Sequence, residues 1–383
     1  MTLFEQPPQR SRRPAEEEPF ASLARSRRRR RTLVVSGVVT VVLLVSTVAV
    51  FGSGADRALV AQVGEWMGPR ALAADISAVA DHAFLTGEGR ELLTLVGATS
   101  ARGRELQRSC GVTDTADDHA VAGCYGLAGI LVFVPTDPRV ADAAVTTLAH
   151  ELLHAAFDRL GSGEVWHVRD LLHDAIDRVD ADDPVRQQID WSVGDHEENR
   201  DTELFAYLGS QVWPEGGFAP ELEAVYARYF TDRAALVEVH DRVTAAVDGL
   251  ISDYERADAE LRQAVTDAAT RRAQLDADRE VYERDRLLYQ QDADRYNSLA
   301  PADRAQWGQD WTGADGVRRS GTWQEALAGR LADLDARHAD LDSRVATVEA
   351  ADADAAARRA AIDGQYADVL AVTKALDPAS AGS

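Results

Sequence analysis

Residues 138–161, PRVADAAVTTLAHELLHAAFDRLG, decide how the rest of the chain is read. From Ala141 to Leu160 there is neither proline nor glycine, so nothing interrupts a helix. Asp137-Pro138 marks its start: the aspartate can accept from free N–H groups, and the missing proline N–H costs nothing at the first helical position. Arg159, a cation at the negative end of the helix dipole, and Gly161 mark its end. The spacing predicts a helix from about Pro138 to Leu160. On it His150 and His154 stand four positions apart on one face, so both imidazoles can reach one cation.

Working outward, Ile130 to Val134 is a continuous apolar run with β-branched and aromatic residues that stops at Pro135, and it is expected to be a strand. Downstream, helical stretches are expected from Trp166 to Val179, from near Asn199 through Leu208, and from Pro220 to Thr231. Upstream, Asp56 to Phe84 reads as short helices interrupted at Gly68-Pro69, and Leu92 to Val96 fits a strand or a helix turn equally.

Beyond Thr231 the pattern changes. Leu236, Val239, Val243, Ala246 and Leu250 step by three and four, and after one stutter Tyr254, Ala257, Leu261, Ala264 and Ala268 continue the stripe. A break with Pro301, Gly308, Gly313, Gly316 and Gly321 follows. The steps then resume at Leu327, Leu331, Leu334, His338, Leu341, Val345 and Val348. Two long helices joined by a glycine-containing turn read as an antiparallel coiled-coil hairpin. A single long helix awaiting a partner chain is the alternative, so the coil could serve a protein partner or self-association.

At the other end, Thr32 to Ala55 carries no charge and is long enough to cross a bilayer, directly behind the arginines Arg25, Arg27, Arg28, Arg29, Arg30 and Arg31. This is expected to be one uncleaved transmembrane helix, with the N-terminus cytoplasmic and the main domains outside the cytoplasm. A cleaved signal peptide is the rival reading. In such a compartment Cys110 and Cys124 are expected to form a disulfide, worth roughly 3 kcal/mol for a loop of about 15 residues. The net charge of −23 argues against a nucleic-acid partner.

The expected fold class is mainly α (α+β). The expected parts are a disordered basic cytoplasmic tail at 1–31, a transmembrane helix at 32–55, a domain with a short sheet at 56–232 that carries His150 and His154, the coiled-coil hairpin at 233–376 and a disordered tail at 377–383.

His150-Glu151-Leu152-Leu153-His154 is an HExxH motif, and catalytic zinc needs a third protein ligand beyond its two histidines. Asp201-Thr202-Glu203-Leu204-Phe205-Ala206-Tyr207 presents Glu203 on a later helix. Here the chain resembles the zincins, and among them the gluzincin type, over roughly Ile130 to Leu208. The metzincin extension is absent, because Phe157 and Leu160 stand in its places. The resemblance implies His150, His154 and Glu203 as Zn²⁺ ligands, Glu151 as general base, and hydrolysis of a peptide or protein substrate by zinc-activated water. Glu197, Glu198, Asp201 and His196 remain rival third ligands. Tyr207 is a candidate oxyanion donor or a packing residue, and Asp158 is a candidate acceptor for a ligand imidazole or a surface residue. His167, His173 and His240 read as structural, and Trp191 and Trp213 as packing. In zincins the strand before the metal helix commonly lies along the substrate backbone, which makes Ile130 to Val134 either that edge or an internal strand. The competing function is a non-catalytic envelope scaffold or interaction protein acting through its coiled coil, with a structural or vestigial zinc site.

Overall fold

The computed structural model describes residues 68–111, 121–304 and 306–380. Within them the chain runs α1 (Ala74–Asp81), α2 (Gly87–Val96), β1 (Ala98–Ser100), α3 (Gly103–Ser109), β2 (Gly123–Gly126), β3 (Gly129–Val132), α4 (Ala143–Phe157) and α5 (Ser162–Ile176). It continues with α6 (Pro184–Val193), a 3₁₀ turn at Glu197–Asn199, α7 (Arg200–Gln211) and α8 (Pro220–Tyr226). Then come α9 (Arg233–Ser298), α10 (Pro301–Arg304), β4 (Gly308–Thr312), β5 (Arg318–Thr322), α11 (Trp323–Leu376) and a 3₁₀ turn at Pro378–Ser380.

Two expectations are corrected at this level. The α+β fold class gives way to a predominantly helical one, because the strands hold only three to five residues each while helices make up most of the described chain. The segments expected to be a transmembrane helix, 32–55, and a disordered tail, 1–31, lie outside the described residues, and among those described no helix is long and apolar enough to cross a membrane. The two helices of sufficient length, α9 and α11, carry Asp, Glu and Arg throughout. The expected single-pass, cell-membrane location is corrected with it.

The chain divides into two compact units, Met1–Gly249 with Val369–Ser383, and Leu250–Asp368. The core of the first is built around α4, all fifteen of whose residues are buried. A helix that is apolar on every side can only sit inside a domain. Apart from Glu151 and the two histidines α4 has no ionisable side chain, and fully enclosed residues such as Leu148, Leu152 and Leu153 contribute about 1.5–3 kcal/mol each. It packs against α7, the sheet, α1 and α2. Helix α4 begins five residues later than its sequence suggests. Asp137 accepts from the Arg139 main-chain N–H at 2.9 Å and pairs with the Arg139 guanidinium, closing a turn before the helix instead of capping it.

The sheet has the order β1-β3-β2, with β1 parallel and β2 antiparallel to β3. The strand expected at Ile130 to Val134 is β3, the central one. Both of its edges are already paired, so it cannot take up a substrate strand. Leu92 to Val96 belongs to helix α2. The cysteines are joined as expected, Cys110 at the end of α3 to Cys124 in β2.

In the second unit α9 and α11 run antiparallel. Arg344–Asp278, Arg337–Asp285 and Arg330–Asp292 bridge them at 2.7, 2.7 and 2.6 Å, each pair one heptad from the next, and Arg272–Asp352 extends the ladder. Leu275, Leu341 and Val348 form an apolar seam alongside. The expected glycine turn is a β-hairpin, β4 with β5.

His240, on the part of α9 that belongs to the first unit, gives that unit an acid-sensitive point. Its exposure is intermediate, yet burial of the imidazole pushes its pKa down to about 4. Between the ordinary value near 6.5 and 4 the unfolded chain binds a proton that the native one refuses. Stability therefore falls as pH drops through that window, by at most about 3 kcal/mol. Urea denaturation at pH 7 and pH 4.5 is expected to show this loss in the wild type and a flatter limb in His240→Phe; parallel limbs would refute it.

Candidate metal centre

Three side chains converge between α4 and α7. His150 and His154 project from α4 with their Nε2 atoms 3.0 Å apart, and Glu203 comes across from α7. Its Oε2 lies 3.6 Å from His150 Nε2 and its Oε1 3.7 Å from His154 Nε2. The helices meet closely because Gly209 on α7 has no side chain: a Cβ there would stand 2.5 Å from both Leu153 Cδ1 and Tyr226 Cε1. All three ligand candidates are buried, and among the described residues this group could hold a metal ion.

The spacing suits a small cation. Zinc binds nitrogen and oxygen at about 2.0–2.2 Å, which places tetrahedral ligand atoms roughly 3.3 Å apart, within the 3.0–3.7 Å span found here. The electrostatics agree. Burial, and then the neighbouring His154, hold the His150 imidazole well below its ordinary pKa, so it stays neutral with a lone pair to offer. His154 is oriented through its other nitrogen: Nδ1 is 2.9 Å from Thr202 Oγ1, and an Nδ1–H donated there leaves Nε2 facing Glu203.

Glu151 points from the same helix toward β2. That strand comes close because residue 123 is glycine; a Cβ would meet Thr147 Cγ2 at 2.5 Å, and Glu151 Oε1 would lie 3.3 Å away. Burial, and next the Glu203 charge, push the Glu151 pKa well above the usual carboxylate range, while the Tyr125 main-chain amide pulls it down. A carboxyl with these neighbours is disposed to hold a proton and give it up when a cation arrives beside it.

The rival ligands face elsewhere. Glu197 is bound by Arg200 at 2.7 Å, Glu198 contacts His196 at 3.2 Å, and Asp201 pairs with Arg169 at 2.8 Å and with His173 at 3.2 Å. Tyr207 is fully buried; its hydroxyl bonds Ser192 Oγ at 2.7 Å and its ring packs edge-on to His150 at 4.5 Å. That places it behind the histidine as a support. The acceptor role considered for Asp158 belongs to Thr202. Thr202, Ser192 and Gly123 carry no motif, and only the packing of α7, α6 and β2 on α4 assigns them a part.

The chain matches no protein-family model, no curated protein and no solved structure.

Proposed function

We propose that this protein is a zinc-dependent peptide hydrolase in which His150, His154 and Glu203 hold the metal and Glu151 carries protons. The convergence of two buried imidazoles and one carboxylate, with a second carboxyl on the residue after His150 of the same helix, is the observation that supports it. Two nitrogens and an oxygen make a donor set suited to zinc. Zinc bound there supplies Lewis acidity, which makes water more acidic and polarises a carbonyl. Glu151 Oε takes the proton of the attacking water; as the peptide C–N bond breaks, Glu151 returns a proton to the departing amine nitrogen. Thr202 keeps His154 in the ligating tautomer, and Tyr207 backs His150. The resemblance to gluzincins rests on these same four residues, His150, Glu151, His154 and Glu203.

One observation favours a second reading. All four side chains are almost fully enclosed, with His154 the most exposed at 3%, and a closed site is what a structural metal requires. A non-catalytic interaction protein built on the α9–α11 rod would keep such a site for stability.

Elemental analysis of the purified chain tests the ligand set common to both. About one zinc per chain is expected in the wild type, most of it lost in Glu203→Ala and retained in Asp201→Ala and Glu197→Ala. A wild type that folds without taking up zinc overturns the proposal. Loss of zinc in Asp201→Ala but not in Glu203→Ala would move the third ligand.

A further inference from the structure

The wall against which Glu151 rests is a strand with little of its own to hold it. Strand β2 is four residues long, Gly123-Cys124-Tyr125-Gly126, lies at the edge of the sheet, and pairs with β3 alone among the described strands. The close approach of Thr147 and Glu151 demands glycine at 123. Glycine in a strand adds no side chain to pack and weakens the strand, and Gly126 at the other end adds none either. Two side chains are left to anchor β2. Because successive residues of a strand face opposite ways, they act on opposite faces of the sheet.

Tyr125, on the same face as Gly123, enters the main core, and its hydroxyl accepts from Arg159 at 3.3 Å. Cys124, on the other face, belongs to a separate small cluster with Ala101, Leu106, Cys110, Val121 and Phe133, and is bonded covalently to Cys110 at the end of α3. Both cysteines are buried. Helix α3 is itself tied down. The Gln107 side chain donates to the Val121 carbonyl at 3.1 Å and accepts from the Val121 N–H at 3.3 Å, and the turn Pro378–Ser380, with Pro378 buried, packs on the same helix. The bridge therefore joins a fixed support to β2 one residue from the glycine that touches Glu151.

Resting on the peptidase reading above, we propose that Cys110 and Cys124 are positioning residues for the reaction: their bond fixes β2 so that the Gly123 backbone confines the Glu151 carboxyl where it exchanges protons. An edge strand with glycine at both ends has few contacts to oppose a small displacement. A shift of about 1 Å at Gly123 lets the carboxyl swing off the attacking water, and misplacement on that scale costs up to about 10²-fold in rate. His150, His154 and Glu203 stand on α4 and α7, which pack directly on each other, so the metal is held whether or not the bridge is present.

The bridge is removed in two ways, as Cys110→Ala/Cys124→Ala and as Cys110→Val/Cys124→Val, the second keeping the small cluster filled with apolar side chains. Each pair is made alone and together with Glu151→Gln. On the full chain, kcat and KM are measured with the fluorogenic peptide that the wild type cleaves fastest, beside zinc content. The expected result is a fall in kcat of about 10–10²-fold with KM and zinc unchanged. No further fall is expected when either pair is added to Glu151→Gln, because a bond that acts through Glu151 then has nothing left to position. An equal fall in both backgrounds makes the bridge a general support of the fold and overturns the assignment. Undiminished kcat in either pair, loss of zinc, or failure of both pairs to fold overturns it as well, and each leaves the peptidase reading standing. A zinc-loaded wild type that cleaves nothing overturns the peptidase reading and this inference with it.

Discussion

Replacing Glu151 by glutamine is expected to lower the rate of peptide cleavage by about 10²–10⁴-fold while the chain keeps its zinc. Glutamine has nearly the same shape as glutamate, so α4 and the Gly123 contact are undisturbed, but its amide cannot accept and return a proton. Zinc content is expected to hold because the proposed ligands are His150, His154 and Glu203, and the substitution leaves all three in place. Stability is expected to be unchanged or slightly higher. The Glu151 carboxyl sits in an enclosed site beside Glu203, which resists its ionisation, and a neutral amide is free of that conflict. The measurement is cleavage of a mixed fluorogenic peptide library beside elemental analysis of the same preparation. Undiminished cleavage in Glu151→Gln would remove the glutamate from the chemistry. No cleavage in a zinc-loaded wild type would favour the structural metal site.

The histidine pair and Glu203 are legible in the sequence for different reasons. His150 and His154 owe their meeting to helix geometry alone, so spacing suffices. Glu203 reaches them only because α7 crosses α4 at Gly209, a long-range event that local pattern cannot encode; the sequence offers it among several carboxylates. What separates Glu203 from Glu197 and Asp201 is the arginines, since Arg200 and Arg169 draw those two outward. The supports are harder to read still. Thr202 beside Glu203 is an ordinary helix residue until its hydroxyl is found against His154 Nδ1.

The fold shows the same division. The three-and-four stepping of α9 and α11 is a local signal and marks both helices, and the Arg–Asp pairs one heptad apart hold them antiparallel. The β-hairpin between them escapes notice because its strands are largely exposed and polar, which erases any alternation of apolar residues. It is held by cross-strand contacts, Asp310 with Arg318 and Ser320, and by Trp311, whose ring lies against Gly321 and Gly329, 3.3 and 2.8 Å from where their Cβ atoms would stand. The strand order is illegible for a related reason: β3 is apolar enough for either an edge or a centre, and only the pairing of β1 and β2 on its two sides decides.

Arg233→Ala is expected to destabilise the first unit by about 3–5 kcal/mol, more than a surface ion pair could explain. Arg233 is 5% exposed. Its guanidinium forks onto the Glu223 carboxylate, with Nε 2.9 Å from Oε2 and Nη2 on Oε1, and Nη1 donates to the Leu208 and Val212 carbonyls at 3.0 and 2.6 Å. Those carbonyls are at the C-terminal end of α7, where helix geometry leaves them without main-chain donors. The aromatic rings of Trp213, Phe218 and Tyr226 surround the cation at 4.5, 5.0 and 5.2 Å. Truncation at once leaves the Glu223 carboxylate with only the Phe218 main-chain N–H at 2.8 Å, and strands two helix-end carbonyls and an apolar wall shaped around a guanidinium. Arg233→Lys keeps the charge but not the fork, and an intermediate loss is expected. Because α7 also carries Glu203 and Thr202, a frayed C-terminal turn is expected to weaken zinc affinity although Arg233 touches none of the ligands. Urea denaturation measures the first effect and competition with a zinc chelator the second. A change in stability within about 0.5 kcal/mol for Arg233→Ala would show that the turn holds without the clamp. Full destabilisation with unchanged zinc affinity would show that the metal helix pair is fixed by its own packing at Gly209.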